Sequence, residues 1–233
     1  MNHSKKAAKI VGVLFILATV SSIIGVLLYD PILKDPNYLI TGFEHKNQVI
    51  LGALCELVLV CSAVGTSIML FPFIKKHSES LALGYVCFRL LEAVIITVGI
   101  VSVLSLLTLS QEFVEAATPH ATSFQTAGTL LKAVHDWTFL LGPNFMLGIN
   151  TLMCSYLLYQ SKLVPRPIAV MGLAGATLIL LAAVLEMFGI ILQLSTWGAV
   201  LAIPVASYEM ILAVWLIVKG FNVSAIASTS IKT

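Results

Sequence analysis

The sequence predicts an all-α fold: a polytopic bundle of six transmembrane helices with both termini in the cytoplasm, forming one integral-membrane domain over residues 1–233. Three observations carry that reading. Of the 233 residues, 59% are hydrophobic and only 10% are charged, whereas a soluble domain carries roughly 25% charged residues. Mean hydropathy is +1.01. Apolar runs of membrane length recur along the whole chain, and the segments between them carry turn-forming or charged residues. A chain with so few polar groups cannot coat itself for water, and its first partner is the lipid bilayer.

A hydrocarbon core about 30 Å thick takes roughly 20 residues of helix. Six segments qualify, at about 8–29, 48–74, 81–109, 136–160, 168–194 and 198–219. The first follows "MNHSKKAAK". Lysines before an apolar run resemble a signal peptide, but Ile10 to Leu28 exceeds the ~7–15 residues of such a core and lacks a small-x-small exit. An uncleaved helix is expected. Residues 30–46 hold two X-Pro pairs and mixed charges and read as an extended external loop. "KKHSES" closes the second segment.

After the third segment, residues 110–133 are too long for a simple connection. Ala127, Leu130, Leu131 and Val134 recur at helical spacing and predict a short interfacial helix, either a lid over an outward cavity or a plain connector. In the fourth segment, "LGPNFMLGIN", Pro143 frees the carbonyl of Phe139 and predicts a kink beside Asn144. "SKLVPRP" leads into the fifth, where Gly172, Gly175 and Ala176 make one small face for close helix contact. "QLSTWG" leads into the sixth, where Pro204 frees the carbonyl of Val200.

Cationic loops resist translocation, so Lys and Arg set the orientation. Lys5, Lys6, Lys9, Lys75, Lys76, Lys162, Arg166, Lys219 and Lys232 fall on one side, against Lys34, Lys46 and Lys132 on the other. Tyr29, Trp137 and Trp197 sit at expected outer interfaces, as an aromatic belt would. Cys55, Cys61, Cys87 and Cys154 all lie in apolar segments, which reads as packing rather than disulfide chemistry. "NVS" at 222–224 matches a glycosylation acceptor but falls on the expected cytoplasmic side.

Charges inside the membrane segments carry the functional reading. Glu56, Arg89, Glu92, Glu186 and Glu209 lie within them, and Asp136 lies at the outer start of the fourth. Each costs roughly 3 kcal/mol or more at a helix centre, so they are expected to face the bundle interior. Arg89 and Glu92 are three apart and meet on one helix face. Four glutamates against one arginine leave a surplus of carboxylate that must take a proton, reach water or meet a cation. Asn144 and Asn150 add neutral hydrogen-bonding groups to the fourth segment.

His135, Asp136 and Glu186 offer the donor types of a metal site, but one histidine at a helix margin reads better as a hydrogen-bonded interfacial residue. No metal and no cofactor is expected. No Gly-rich phosphate loop, nucleophile elbow or catalytic Cys/His pair occurs, and no basic or acidic block points to nucleic acid. The two three-helix halves show no aligned inverted repeat of the kind found in many transporters.

The stretches "KKAAKIVGVLFIL", "FRLLEAVIITVG", "LGPNFMLGIN", "SKLVPRPIAVMGLAG" and "YEMILAVWLIVKGF" together resemble a bacterial membrane family known as a domain of unknown function, DUF4386. The resemblance runs from about Lys5 to Phe221 and implies a bacterial inner-membrane protein of six or seven helices. It brings no activity and no catalytic residue.

Three functions remain in play. The first is a small binding or transport protein whose mid-membrane acidic cavity takes a proton, a cation or an amine-bearing ligand, with Glu56, Glu92 and Glu209 as ligands, Arg89 as counter-charge and Asn144 as hydrogen-bond partner. The second is a non-catalytic factor that binds another membrane protein or a second copy of itself, its charges being structural ion pairs. The third is an intramembrane enzyme acting on a lipid through His135, Asp136 and Glu186. The chain reads more as a binder than as an enzyme.

Overall fold

The computed structural model describes residues 2–116, 121–193 and 195–222, and among them every regular element is helical. In chain order these are α1 (Asn2–Leu28), α2 (Asp30–Leu33), α3 (Tyr38–Glu44), α4 (Lys46–Ile74), α5 (Glu79–Glu115) and α6 (Ala121–Phe139). A π-helical turn, π1 (Leu140–Met146), then leads into α7 (Leu147–Ser161), followed by α8 (Arg166–Met187) and α9 (Thr196–Val218). Five helices, α1, α4, α5, α8 and α9, are long and apolar enough to cross a membrane.

The burial pattern is that of a membrane protein. Leu27 is 58% exposed, Leu54 53% and Val101 57%, while Arg89 is 2% exposed. Large aliphatic side chains line the outside and the costly polar groups are inside, which water would penalise and lipid favours. The chain is therefore a multi-pass membrane protein.

Helix ends follow local chemistry. Ser78 caps α5 by accepting from Leu81 N, with Glu79 in the first turn; Ser195 caps α9 by accepting from Gly198 N at 3.2 Å. Prolines open α8, where the missing N–H costs nothing. Gly189 (φ 67°) and Gly220 (φ 73°) adopt the left-handed conformation just beyond α8 and α9, where a side chain would be strained. Asn222 donates to the Lys162 carbonyl at 2.7 Å, and its backbone N–H donates to Leu163 O. The chain after α9 is thereby pinned to the α7–α8 turn, which gives the asparagine of the "NVS" triplet a structural bond; residues 223 and 224 lie outside the described residues, as do Lys232 and residues 117–120 of the 110–133 segment.

Several expectations are corrected. Residues 30–46 are not an extended loop but two short helices that close over the end of the bundle. Pro31 sits in the first turn of α2, where proline is tolerated, and Ser110 of α5 donates to Leu39 O of α3 at 2.9 Å. The helix expected to begin at 136 begins at 121, so Asp136 is well inside α6 rather than at its start. That same run is interrupted: Pro143 lies in a π-helical turn, because a residue without an N–H is accommodated by a change of hydrogen-bond register as well as by a bend. The fifth segment ends at Met187, not 194. Tyr29 is fully buried rather than in an aromatic belt, whereas Trp137 and Trp197 are 52% and 69% exposed. Cys154 is buried as a packing residue, but Cys61 and Cys87 lie on exposed faces.

The long helices close a ring in chain order: α1 packs on α4, α4 on α5, α5 on α7, α7 on α8, α8 on α9, and α9 back on α1. Small residues let the α8 wall close up. A Cβ on Gly175 would lie 2.8 Å from Val205 N of α9, and one on Gly172 would meet Ser155 of α7 and Tyr208 of α9. The end of the ring that holds the start of α1 is filled by Phe15, Leu70, Ile74, Tyr85, Leu157, Leu212 and Leu216. Toward the other end, Tyr29 at the start of α2 packs a second apolar layer with Val49 of α4 and Ile96, Ile100 and Val103 of α5. Between the two layers lie the charges.

Candidate functional site: an acidic cavity inside the ring

Arg89 and Glu92 stand on the stripe of α5 that also buries Tyr85, Ile96, Ile100 and Val103, spaced three and four apart as one helix face requires. Arg89 Nη1 meets Glu92 Oε2 at 2.9 Å, and Asn150 Nδ2 of α7 donates to the same oxygen at 2.6 Å. Arg89 Nε donates to the Ala63 carbonyl of α4 at 3.3 Å, and its guanidinium lies 6.0 Å from the Phe15 ring of α1. Glu209 of α9 holds Arg89 only loosely, Oε1 to Nη2 at 3.8 Å, with Thr19 of α1 beside it. Arg89 thus ties four helices together, and its charge is already committed to Glu92.

These residues border a cavity of about 230 Å³. Every wall of the ring contributes: Thr19 and Ser22 from α1, Leu59 from α4, Arg89 and Glu92 from α5, Asn144 from π1, Ile179 from α8, and Val205 and Glu209 from α9. Asn144 donates its Nδ2 to Glu186 at 2.9 Å, which leaves its oxygen for the cavity. Apart from Arg89, the polar groups on this lining are carboxylates, hydroxyls and the Asn144 amide, whose NH2 is turned to Glu186, and the two carboxylates outnumber the one guanidinium.

The structure divides the glutamates predicted from the sequence. Glu92 and Glu209 share the central cavity with Arg89 and Asn144, and Asn150 stands behind Glu92. Glu186 reaches the cavity only through Asn144. Glu56 is elsewhere, accepting from Tyr29 Oη at 3.0 Å, in a separate small cavity lined with His135 and Thr138. His135 Nδ1 lies 3.4 Å from Asp136 Oδ1. His135, Asp136 and Glu186 do not converge: among the described residues no three His, Cys, Asp or Glu side chains gather as metal ligands would.

Three participants were missed. Thr19 and Ser22 lie one turn apart in the apolar part of α1, and that small polar stripe is a legible signal for a cavity-facing side. Tyr29 carries no such signal, since burial of its hydroxyl depends on how α2 and α4 fold over it.

No curated protein and no solved structure matches the chain. One family model does, described as "Domain of unknown function (DUF4386)", over residues 10–220. That match spans nearly every element of the ring, from α1 to the end of α9, and the chain belongs to the DUF4386 family.

Proposed function

We propose that this protein binds, and moves across a bacterial inner membrane, a small cation, a proton or an amine-bearing ligand held in the central cavity. The observation that carries the reading is the lining itself: Glu92 and Glu209 face one guanidinium that Glu92 already engages. A carboxylate that lacks a close partner in a low-dielectric interior favours a cation or a proton. Glu209 is the primary ligand, with the Asn144 oxygen, Thr19 and Ser22 completing a shell of oxygens. At about 230 Å³ the cavity is smaller than the roughly 300–1,000 Å³ of drug-sized sites, so the ligand has few heavy atoms. In this reading α6, π1 and α7 together make the sixth crossing, and the excess of Lys and Arg on one side places both termini in the cytoplasm.

The test uses purified protein in lipid nanodiscs, with sodium, potassium and methylammonium as probes and unfolding temperature as the readout. At least one probe, or acidification, is expected to stabilise the wild type saturably. Glu209→Gln should weaken that response about tenfold or more, the size of a lost charge-assisted bond. A wild type indifferent to all probes and to pH, or an unchanged Glu209→Gln, sinks the reading. Reporter fusions at the two termini test the orientation, and opposite sides would refute six crossings.

The second reading, a structural ion pair in a factor that binds another membrane protein, is favoured by one observation: Glu92 Oε2 takes both a guanidinium and an amide, at 2.9 and 2.6 Å. It predicts that Arg89→Met combined with Glu92→Leu stays folded and functional.

A further inference from the structure

We infer that Asp136, His135 and Glu56 form a proton-entry relay that delivers protons to the central cavity past a gate at Phe139. The inference rests on the binding reading above and adds a route to it. His135 and Glu56 are only 8% and 6% exposed, yet both border a cavity of about 10 Å³, the size that admits a single water. On its other side His135 borders an outer cavity of about 120 Å³, shared with Asp136, Asp30 and Lys34. The Asp136 side chain is 67% exposed and lies 3.4 Å from His135 Nδ1. A surface carboxylate, a buried imidazole, a water-sized gap and a buried carboxyl therefore follow one another inward.

Lys132, one turn back on α6, acts on Asp136 at the mouth of the path. Glu56 is faced by Tyr29 and His135, while α5 presents only Ile96 and Gly99. His135 is faced by Asp136, Glu56, the Tyr29 ring and the Asp30–Lys34 pair, which is closed on itself at 2.7 Å. The transfer balances without oxidation or reduction. A proton passes from Asp136 to Nδ1, the other ring nitrogen releases one to the water, and the water releases one to Glu56. Tyr29 occupies Glu56 Oε2, so Oε1 receives it.

Onward passage meets a wall. Ile96, Phe139 and Pro143 border both the small cavity and the central one. Phe139 also borders the outer cavity, and its ring stacks on His135 with centroids 6.2 Å apart. It directly precedes π1, and π-helical turns are found frequently at functional sites. Movement of Phe139 opens the step.

The experiment is a pH jump on reconstituted full-length protein, followed by time-resolved infrared spectroscopy of carboxylic-acid C=O bands. Glu56→Gln assigns one band and Glu209→Gln the other. In His135→Asn, with His135→Gln as a second variant, the Glu56 band should rise about tenfold more slowly or worse to the same final amplitude. The unchanged amplitude shows that the fold survives. Phe139→Ala should speed the Glu209 band and leave the Glu56 band alone. Equal Glu56 rates in wild type and both His135 variants overturn the relay, as does a wild type with no Glu56 band at any pH the fold survives. A normal Glu56 band with no Glu209 band overturns proton delivery to the central cavity, while the cavity's cation reading stands or falls on the sodium, potassium and methylammonium titrations.

Discussion

Glu92 and Glu56 are buried carboxylates on neighbouring helices, and the bundle answers them in different ways. Glu92 meets a guanidinium and an amide on one oxygen, from α5 and α7. Glu56 meets a phenol and, across a water-sized gap, an imidazole. The first is an ionic knot with its counter-charge built in. The second holds no permanent cation, only groups that give or take protons. One carboxylate is paired with a cation and the other is not, and Glu209, loosely held at 3.8 Å, stands between these extremes.

The largest effect breaks the knot. Arg89→Met leaves two carboxylates buried without their cation and should destabilise by about 3–5 kcal/mol, measured by denaturant unfolding in detergent. Adding Glu92→Leu should recover most of that loss, because the replacement removes a charge that no longer has a partner. If the single variant is as stable as the wild type, Glu92 is not held as an ion and the contrast with Glu56 disappears.

A smaller effect separates the neutral partners. Asn150→Leu strips an amide from a charged acceptor and should cost about 1.5–3 kcal/mol, while Tyr29→Phe removes a hydroxyl and should cost nearer 1 kcal/mol. A reversed order in the same unfolding assay means that Glu56, not Glu92, carries the harder charge. The smallest effect is at the surface. Asp30 and Lys34 pair at 2.7 Å but their side chains are 45% and 58% exposed, so Asp30→Asn should change stability by at most about 0.5 kcal/mol. A loss comparable to Asn150→Leu shows that the outer cavity is far less hydrated than its exposure indicates.

Local patterns were readable and distant pairings were not. The five membrane-length helices lie within a few residues of the expected segments, apart from the start of α1 and the ends of α5 and α8, because hydropathy over ~20 residues is a property of consecutive side chains. The short helices over residues 30–46 escaped detection because X-Pro pairs favour extended backbone locally, and packing on α5 overrides that preference. Pro143 announced a disturbance in the fourth segment but not its form, since a bend and a π turn both satisfy a missing N–H. Arg89 and Glu92 were legible as a pair because they are three residues apart. Asn150 behind Glu92 was not, being 58 residues away.

By itself the sequence determined that this chain is a multi-pass membrane protein, which five stretches are long and apolar enough to cross a bilayer, and that more carboxylate than cation is buried there. Composition and periodicity are enough for that, because lipid acts on each helix separately. Only the tertiary structure decided that Glu92 and Glu209 share one cavity while Glu56 belongs to another. That partition depends on the rotation of each helix in the ring and on which side chains meet across it, and neither is a property of any one stretch of chain.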